Sequence, residues 1–352
     1  MTNKENFIRG YVIVLMTLLL GAVGGGVFHL LGLPAAWLSG AMILVAAVQF
    51  AGLPVSMPDR LRDAVFVILG ISMGTGVKPE LIERVGDWPI SMLVLAAVIV
   101  GIMSAGYFVL HVLMKWDRPT SFFGAIPGAL SYVMALAESS DAKIANVAVS
   151  QSIRLFVLVA VLPILIAGST DPGVSVQTNP SGIDIADAIL TFALCTLASF
   201  CAVRLKVPGG WLTGAFFASA ALNGAGVVNL SMPQWFVLPC YVALGCVIGV
   251  RFGSVSLSAL RQLVLASLAA FAAAMSISLI GAIFTSTFLE IPFGQALLAY
   301  APGGLEVMTL LAFMLDLDPA FVAAHQLARY VGMVLVLPFV TRIVIGPITH
   351  TR

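Results

Sequence analysis

An all-α polytopic membrane protein, made of two inverted-topology repeats, is the fold this sequence predicts, and three observations carry the prediction. The first is composition: of 352 residues, 60% are hydrophobic and 9% charged, with mean hydropathy +1.08. Soluble domains carry about 25% charged residues, so this chain is built for lipid. The second is an internal duplication. Pro34/Pro208, Trp37/Trp211, Gly40/Gly214 and Gly52/Gly226 recur at an offset of 174 residues. Gly70/Gly245, Gly74/Gly249, Pro127/Pro302, Gly128/Gly303, Asp141/Asp316, Gln151/Gln326, Arg154/Arg329 and Pro163/Pro338 recur at 175. One single-residue gap reconciles the two series, and such an ordered run of matches marks a repeat architecture. The third is the distribution of lysine and arginine between the apolar segments.

Taken in order, residues 1–167 form the first membrane repeat, 168–182 a linker and 183–352 the second repeat. Lys4 and Arg9 precede the apolar stretch Tyr11–Leu31. At about 20 residues that stretch is too long for a signal-peptide core, and it reads as the first spanning helix. Apolar segments follow at roughly 34–52, 61–77, 90–114, 119–138 and 141–167, and again at 183–206, 208–228, 233–250, 261–288, 293–314 and 318–345. The polar run Asp171–Ser181 (DPGVSVQTNPS) has the Pro, Gly and Ser of a connector.

Six crossings per repeat would leave Arg204, Lys206, Arg251 and Arg261 outside. Five crossings, with the Pro-Gly segment of each repeat entering and returning on one side, invert the second half. Arg60, Arg62, Lys115, Arg118, Lys143, Arg204, Lys206, Arg251, Arg261, Arg342 and Arg352 then all face the cytoplasm, as the positive-inside rule requires. The Lys78/Arg84 loop alone dissents. The expected arrangement is therefore about ten spanning helices plus one broken or re-entrant segment per repeat, with both termini cytoplasmic. The short 61–77 segment is a second candidate for the non-spanning element.

Chemistry concentrates at the breaks. Proline has no N–H to give a helix interior and glycine loosens the turn beside it, so Pro127-Gly128 and Pro302-Gly303-Gly304 should each end one half-helix and begin another. Such a break either lines a cavity, as in transporters built from repeats, or is a kink used for packing. Arg154 and Arg329 lie about a dozen residues into their segments, with Gln151 and Gln326 three positions earlier on the same helical face. Near mid-bilayer an arginine costs at least ~2.5 kcal/mol, so each should point inward to a partner. Two roles are open: pinning carbonyls freed at the break, or recognising an anion through the guanidinium fork. His325 sits four residues before Arg329. Glu306 follows the second break where the first has Ser131, and reads either as a proton-coupling group or as the counter-ion of Arg329. Asp141 and Asp316 are expected to cap the helices that follow. Gly70-x-x-x-Gly74 and Gly245-x-x-x-Gly249 read as close-packing faces. Cys195, Cys201, Cys240 and Cys246 read as buried, inert thiols. The four histidines, at 29, 111, 325 and 350, are too scattered to hold a metal, and no cofactor is expected.

The duplicated Pro-Gly-x-Leu…Asp…Gln-x-x-Arg pattern resembles the AbrB family of bacterial inner-membrane proteins, which is distinct from the soluble DNA-binding protein of the same name. The resemblance runs from about Tyr11 to Val344. The second copy, Pro302-Gly303-Gly304-Leu305-Glu306-Val307-Met308, follows the family pattern, whereas the first departs from it at Ala129 and Ser131. What the resemblance implies is a multi-pass protein of the inner membrane; labels attached to the family include regulator of gene expression and ammonia monooxygenase. The residues themselves favour a secondary transporter or exporter of a small anionic solute, moving one bundle against the other around the breaks. The chain is expected not to be an enzyme, because clustered metal ligands are missing. A net charge of +1 offers nothing to nucleic acid, and no polar stretch is long enough for a soluble domain. The sequence leaves homo-oligomerisation open.

Overall fold

A computed structural model describes residues 3–75, 88–128, 130–138, 140–167, 185–228, 230, 232–251 and 257–345. The expected linker, the Lys78/Arg84 loop and the residues beyond 345 fall outside these. The described chain is all-α, with fourteen helices. The first half holds α1 (Asn3–Leu30), α2 (Ala36–Phe50), α3 (Asp59–Gly74), α4 (Trp88–Phe108), α5 (Arg118–Ala125), α6 (Leu130–Glu138) and α7 (Ile144–Ala167). The second half holds their counterparts in the same order: α8 (Ile185–Arg204), α9 (Gly210–Gly224), α10 (Gln234–Val250), α11 (Leu257–Phe288), α12 (Phe293–Tyr300), α13 (Leu305–Met314) and α14 (Pro319–Val344).

The duplication reaches the backbone. Left-handed residues recur at paired positions: Gly32 and Lys206, Ala35 and Gly209, Gly52 and Gly226, Lys115 and Glu290. Both halves therefore end and restart their helices with the same local geometry, whether or not the residue is a glycine.

Among the described residues six helices are long and apolar enough to cross a bilayer: Gly10–Leu30, Trp88–Leu113, Ile144–Ala167, Asp187–Arg204, Leu263–Phe288 and Pro319–Val344. Their outer faces carry large apolar side chains such as Leu93, Leu265, Phe339 and Ile343, exposed by 68–83%, a surface suited to lipid. The other four expected crossings, α2, α3, α9 and α10, have 15, 16, 15 and 17 residues. They fall short of the ~20 residues that fit a full hydrocarbon core.

The chain gathers into two compact units, each drawing on both halves of the sequence. One contains α1, α2, α3, α8, α9 and α10. In it α3 packs on α9 and α10 on α2, so each glycine-notched helix is seated in the opposite repeat. A Cβ at Gly70 would lie 2.5 Å from the carbonyl oxygen of Leu212; at the matching Gly245 it would lie 2.5 Å from that of Leu38. Backbone, which cannot retreat, fills the space a side chain would need, as the Gly-x-x-x-Gly spacing predicts. Cys246, buried here, donates to the Thr17 carbonyl at 3.4 Å. Cys201 departs from expectation, since it is exposed.

The other unit contains α4, α5, α6, most of α7, and α11 to α14. Here α4 packs on α11, α5 on α4, and α12 on α11. The two Pro-Gly segments are each split as expected, into α5 plus α6 and α12 plus α13. At eight to ten residues these half-helices are about 12–15 Å long, half a hydrocarbon core. Asp117 caps α5 by accepting from the Thr120 N–H at 2.9 Å. The Lys143 N–H donates to Thr120 Oγ1 at 2.8 Å, and Lys143 Nζ lies 3.7 Å from the Asp117 carboxylate. The residues just before α5 and just before α7 therefore touch. The first Pro-Gly segment is a loop-back that leaves where it entered. Asp141 and Asp316 do not cap helices: α7 and α14 begin three residues later, and Asp316 is a left-handed residue just beyond α13.

Candidate functional site

Both buried arginines reach the end of the half-helix that precedes the break, by the same route. On α7, Arg154 donates from Nη1 to the Ile126 carbonyl at 2.8 Å and from Nη2 to Gln151 Oε1. Gln151 Nε2 donates to the carbonyls of Phe123 and Ile126 at 3.2 and 3.0 Å. On α14, Arg329 donates to the carbonyls of Ala301 at 2.6 Å and Gly303. Gln326 Nε2 donates to those of Leu298, Ala299 and Ala301 at 2.8, 3.2 and 3.4 Å. Phe123 and Ile126 correspond to Leu298 and Ala301 in the repeat. All four side chains are at least 92% buried.

The local physics explains the pattern. Pro127 and Pro302 lack the N–H groups that would continue the helix, leaving carbonyls at the C-terminal ends of α5 and α12 without helical partners. A cation at a helix C-terminus satisfies the carbonyls and the negative end of the dipole together. Hydrogen bonds from a charged donor contribute roughly 1.5–3 kcal/mol each, enough to offset the cost of placing arginine in the bilayer. Carbonyl pinning is thus present at both breaks.

The two breaks also meet. Gly128, at φ +82, lies so close to the second break that a Cβ there would be 3.1 Å from Arg329 Nη2 and 3.4 Å from the Gly303 carbonyl oxygen. Only glycine combines that φ with that approach. The two guanidiniums thus come to the same place, Arg154 at the Ile126 carbonyl and Arg329 beside Gly128 two residues on. Among the described residues neither forms an ion pair with a carboxylate, and the Nε atoms of both are buried without a hydrogen-bond partner. Pro127, Pro302 and Gly303 are buried around them, and Gly304 is half-buried.

Glu306 does not pair with Arg329. It occupies the first turn of α13 and is half-buried. A carboxylate there favours the positive end of its own short helix. The side chain of its counterpart Ser131, on α6, lies outside the described residues. His325 is fully buried and engaged at both ring nitrogens, Nδ1 with the Phe321 carbonyl and Nε2 with Ser91 Oγ, each at 2.8 Å.

Ser91, Tyr300 and Thr285, which join this network, carry no motif. Tyr300 stands directly before the second break; its hydroxyl contacts Thr285 Oγ1 at 2.8 Å and donates to the Ser91 carbonyl at 3.1 Å. A tyrosine inside an apolar run is the one signal that would have found them, since a buried phenol needs a partner. Among the described residues no three His, Cys, Asp or Glu side chains gather as a metal site.

Residues 37–345, spanning both breaks and both arginines, match the family described as "Transition state regulatory protein AbrB". The chain belongs to the AbrB family. Over 320 residues it is 27% identical to the "Putative regulator AbrB" of Escherichia coli (strain K12), covering 89% of this chain and 90% of that protein. Over 366 aligned residues it is 25% identical to the "Uncharacterized protein YhjN" of Bacillus subtilis (strain 168), covering 96% and 94%. The AbrB match extends across α2 to α14, so both repeats belong to the family's unit rather than one being an appended segment.

Proposed function

We propose that this AbrB-family membrane protein is a secondary transporter of a small anion in a bacterial inner membrane, with the solute held where the two breaks meet. The observation that carries the reading is the pairing of Arg154 with Arg329 at converging broken helices, with no carboxylate partner among the described residues. The charges support an anion. The C-terminal ends of α5 and α12 contribute about −0.5 each, and the N-terminal ends of α6 and α13 about +0.5 each. Two guanidiniums and Glu306 then leave about one positive charge for a solute to neutralise. Paired, oppositely oriented breaks are the general architecture of alternating-access carriers.

Purified protein in proteoliposomes, assayed with a panel of small carboxylates and oxyanions, tests the proposal. Uptake is expected in wild type and is expected to fall at least about tenfold in Arg154→Lys and Arg329→Lys, which keep the charge and lose the fork. Wild-type rates in both variants would remove the site.

The family description and the name of the Escherichia coli relative favour a second reading, a membrane regulator of gene expression acting indirectly through the solute it moves. Direct DNA binding is the alternative to that indirect route. A gel shift at low salt with the purified protein distinguishes them, because electrostatic binding is strongest there. A shifted band would favour the direct route.

A further inference from the structure

His325 has a hydrogen-bonding environment that accommodates both its neutral and its charged form without moving a heavy atom. The Phe321 carbonyl at Nδ1 only accepts, so Nδ1 carries a proton in either form. Nε2 faces the Ser91 hydroxyl at 2.8 Å, and that hydroxyl is also 2.8 Å from the Trp88 carbonyl oxygen. A hydroxyl has one hydrogen and two acceptor sites. With neutral imidazole, Ser91 donates its hydrogen to Nε2. With imidazolium, Nε2 donates to Ser91 Oγ and the serine hydrogen turns to the Trp88 carbonyl. One proton is gained, one rotor turns, and no donor or acceptor is left without a partner.

We propose that His325 is a reversible proton-binding site, with Ser91 as its switching partner, and that the proton it takes is coupled to the solute site. The coupling half rests on the transport reading above; the proton site itself does not. The residue is placed for entry: it is the seventh of α14, about 9 Å from that helix's start, and Trp88 opens α4. It is also placed for effect. Arg329 lies one turn further along α14. Tyr300 links Ser91 to the carbonyl end of α12, where Arg329 and Gln326 are anchored.

The described groups around the ring come from three elements. α4 presents Trp88 and Ser91, α12 presents Tyr300, and α14 itself presents Phe321, whose ring centroid is 3.9 Å away. Among the described residues Tyr300 is the titratable side chain in contact with the ring from another element; Arg329 and Tyr330 follow His325 on α14, and none of the three hydrogen-bonds the ring. A second positive charge beside Arg329 favours an anion in the solute site, so proton and anion binding are expected to reinforce one another, as linkage requires. The first repeat has no such device: Ser150, Ala125 and Ala266 stand where His325, Tyr300 and Ser91 would be matched.

Imidazolium quenches indole emission, and the Trp88 and His325 rings are 6.3 Å apart. A full-length variant with Trp37, Trp116, Trp211 and Trp235 changed to phenylalanine leaves Trp88 as the sole reporter. In nanodiscs its emission is expected to fall reversibly between about pH 8 and about pH 4, with helicity unchanged. The fall is expected to vanish in His325→Gln. In Ser91→Ala it is expected to move to a different pH, and Ser91→Thr is expected to restore it. Flat emission in the reporter, or a fall that survives His325→Gln, would overturn the proposal. If His325→Gln does not fold, His325→Asn serves. The infrared bands of isotope-labelled histidine, with His29, His111 and His350 replaced, read the same proton without tryptophan. Since no solute is present, failure here leaves the transport assay standing, and failure there leaves this proton site standing.

Discussion

Arg154 and Arg329 occupy matched positions, yet their removal should not cost the same. Without Arg154 the Ile126 carbonyl keeps a hydrogen bond from Gln151, and the Gln151 Oε1 it orphans sits on a side chain that can turn, whereas Arg329 alone among the described residues holds the Gly303 carbonyl, which is fixed backbone. A buried acceptor left without a partner costs roughly 1–3 kcal/mol. Arg329→Ala should therefore destabilise the folded protein by about 1–3 kcal/mol, and Arg154→Ala by less. Unfolding midpoints in mild detergent are the measurement, and equal losses would contradict the assignment. The arginines and glutamines were legible in the sequence because polar groups in an apolar run demand partners. Their partners were not, because they are backbone carbonyls, which every residue carries. Of the two roles open to Glu306, that of counter-ion to Arg329 fails for the same reason: once the carbonyls have engaged the guanidinium, the carboxylate is better placed at the N-terminus of α13.

Half-helices in pairs were readable from proline and glycine alone, whereas the route of the chain around them depends on three residues at the starts of α5 and α7. Asp117, Thr120 and Lys143 bring the entrance and exit of the first Pro-Gly segment together. In a chain with Cys195, Cys201, Cys240 and Cys246 replaced, single cysteines at Arg118 and Ala142 should be labelled by an impermeant thiol reagent from the same side. Labelling from opposite sides would mean that the segment crosses. The same cluster sets an acid limit. Burial alone would raise the Asp117 carboxyl, but the hydrogen bonds from Thr120 and the charge of Lys143 outweigh it and hold it below the usual carboxylate range. A carboxylate lowered in the folded state contributes stability above its unfolded pKa and loses it as the pH falls through the folded value. The stability difference between wild type and Asp117→Asn should be present at neutral pH and shrink below about pH 4. A difference independent of pH would show that the charge plays no part.

Over the whole molecule, the repeat was legible to the residue because glycine, proline and buried polar positions cannot drift without cost. The grouping into two units was not legible, since it depends on which repeat supplies each helix with its neighbour. If the second Pro-Gly segment returns to its side of entry as the first does, and the other five helices of each half all cross, each half makes an odd number of passes and the second enters the bilayer upside down. Lys115 and Glu290 are matched, exposed, left-handed residues at the ends of α4 and α11. Cysteines in their places should react from opposite sides of the membrane. Reaction from one side would mean that the halves are parallel.

The seating of α3 on α9 and of α10 on α2 also has a consequence for synthesis. When the ribosome finishes residue 74, the notch at Gly70 has no backbone to receive it, because α9 has yet to be translated. The early helices must wait in the lipid, held by the insertion machinery or by each other, until more than a hundred further residues have emerged. A ribosome that stalls between the halves would release a product whose α1 and α2 can still meet at Gly24 and Gly40 but whose Gly70 notch matches nothing within itself.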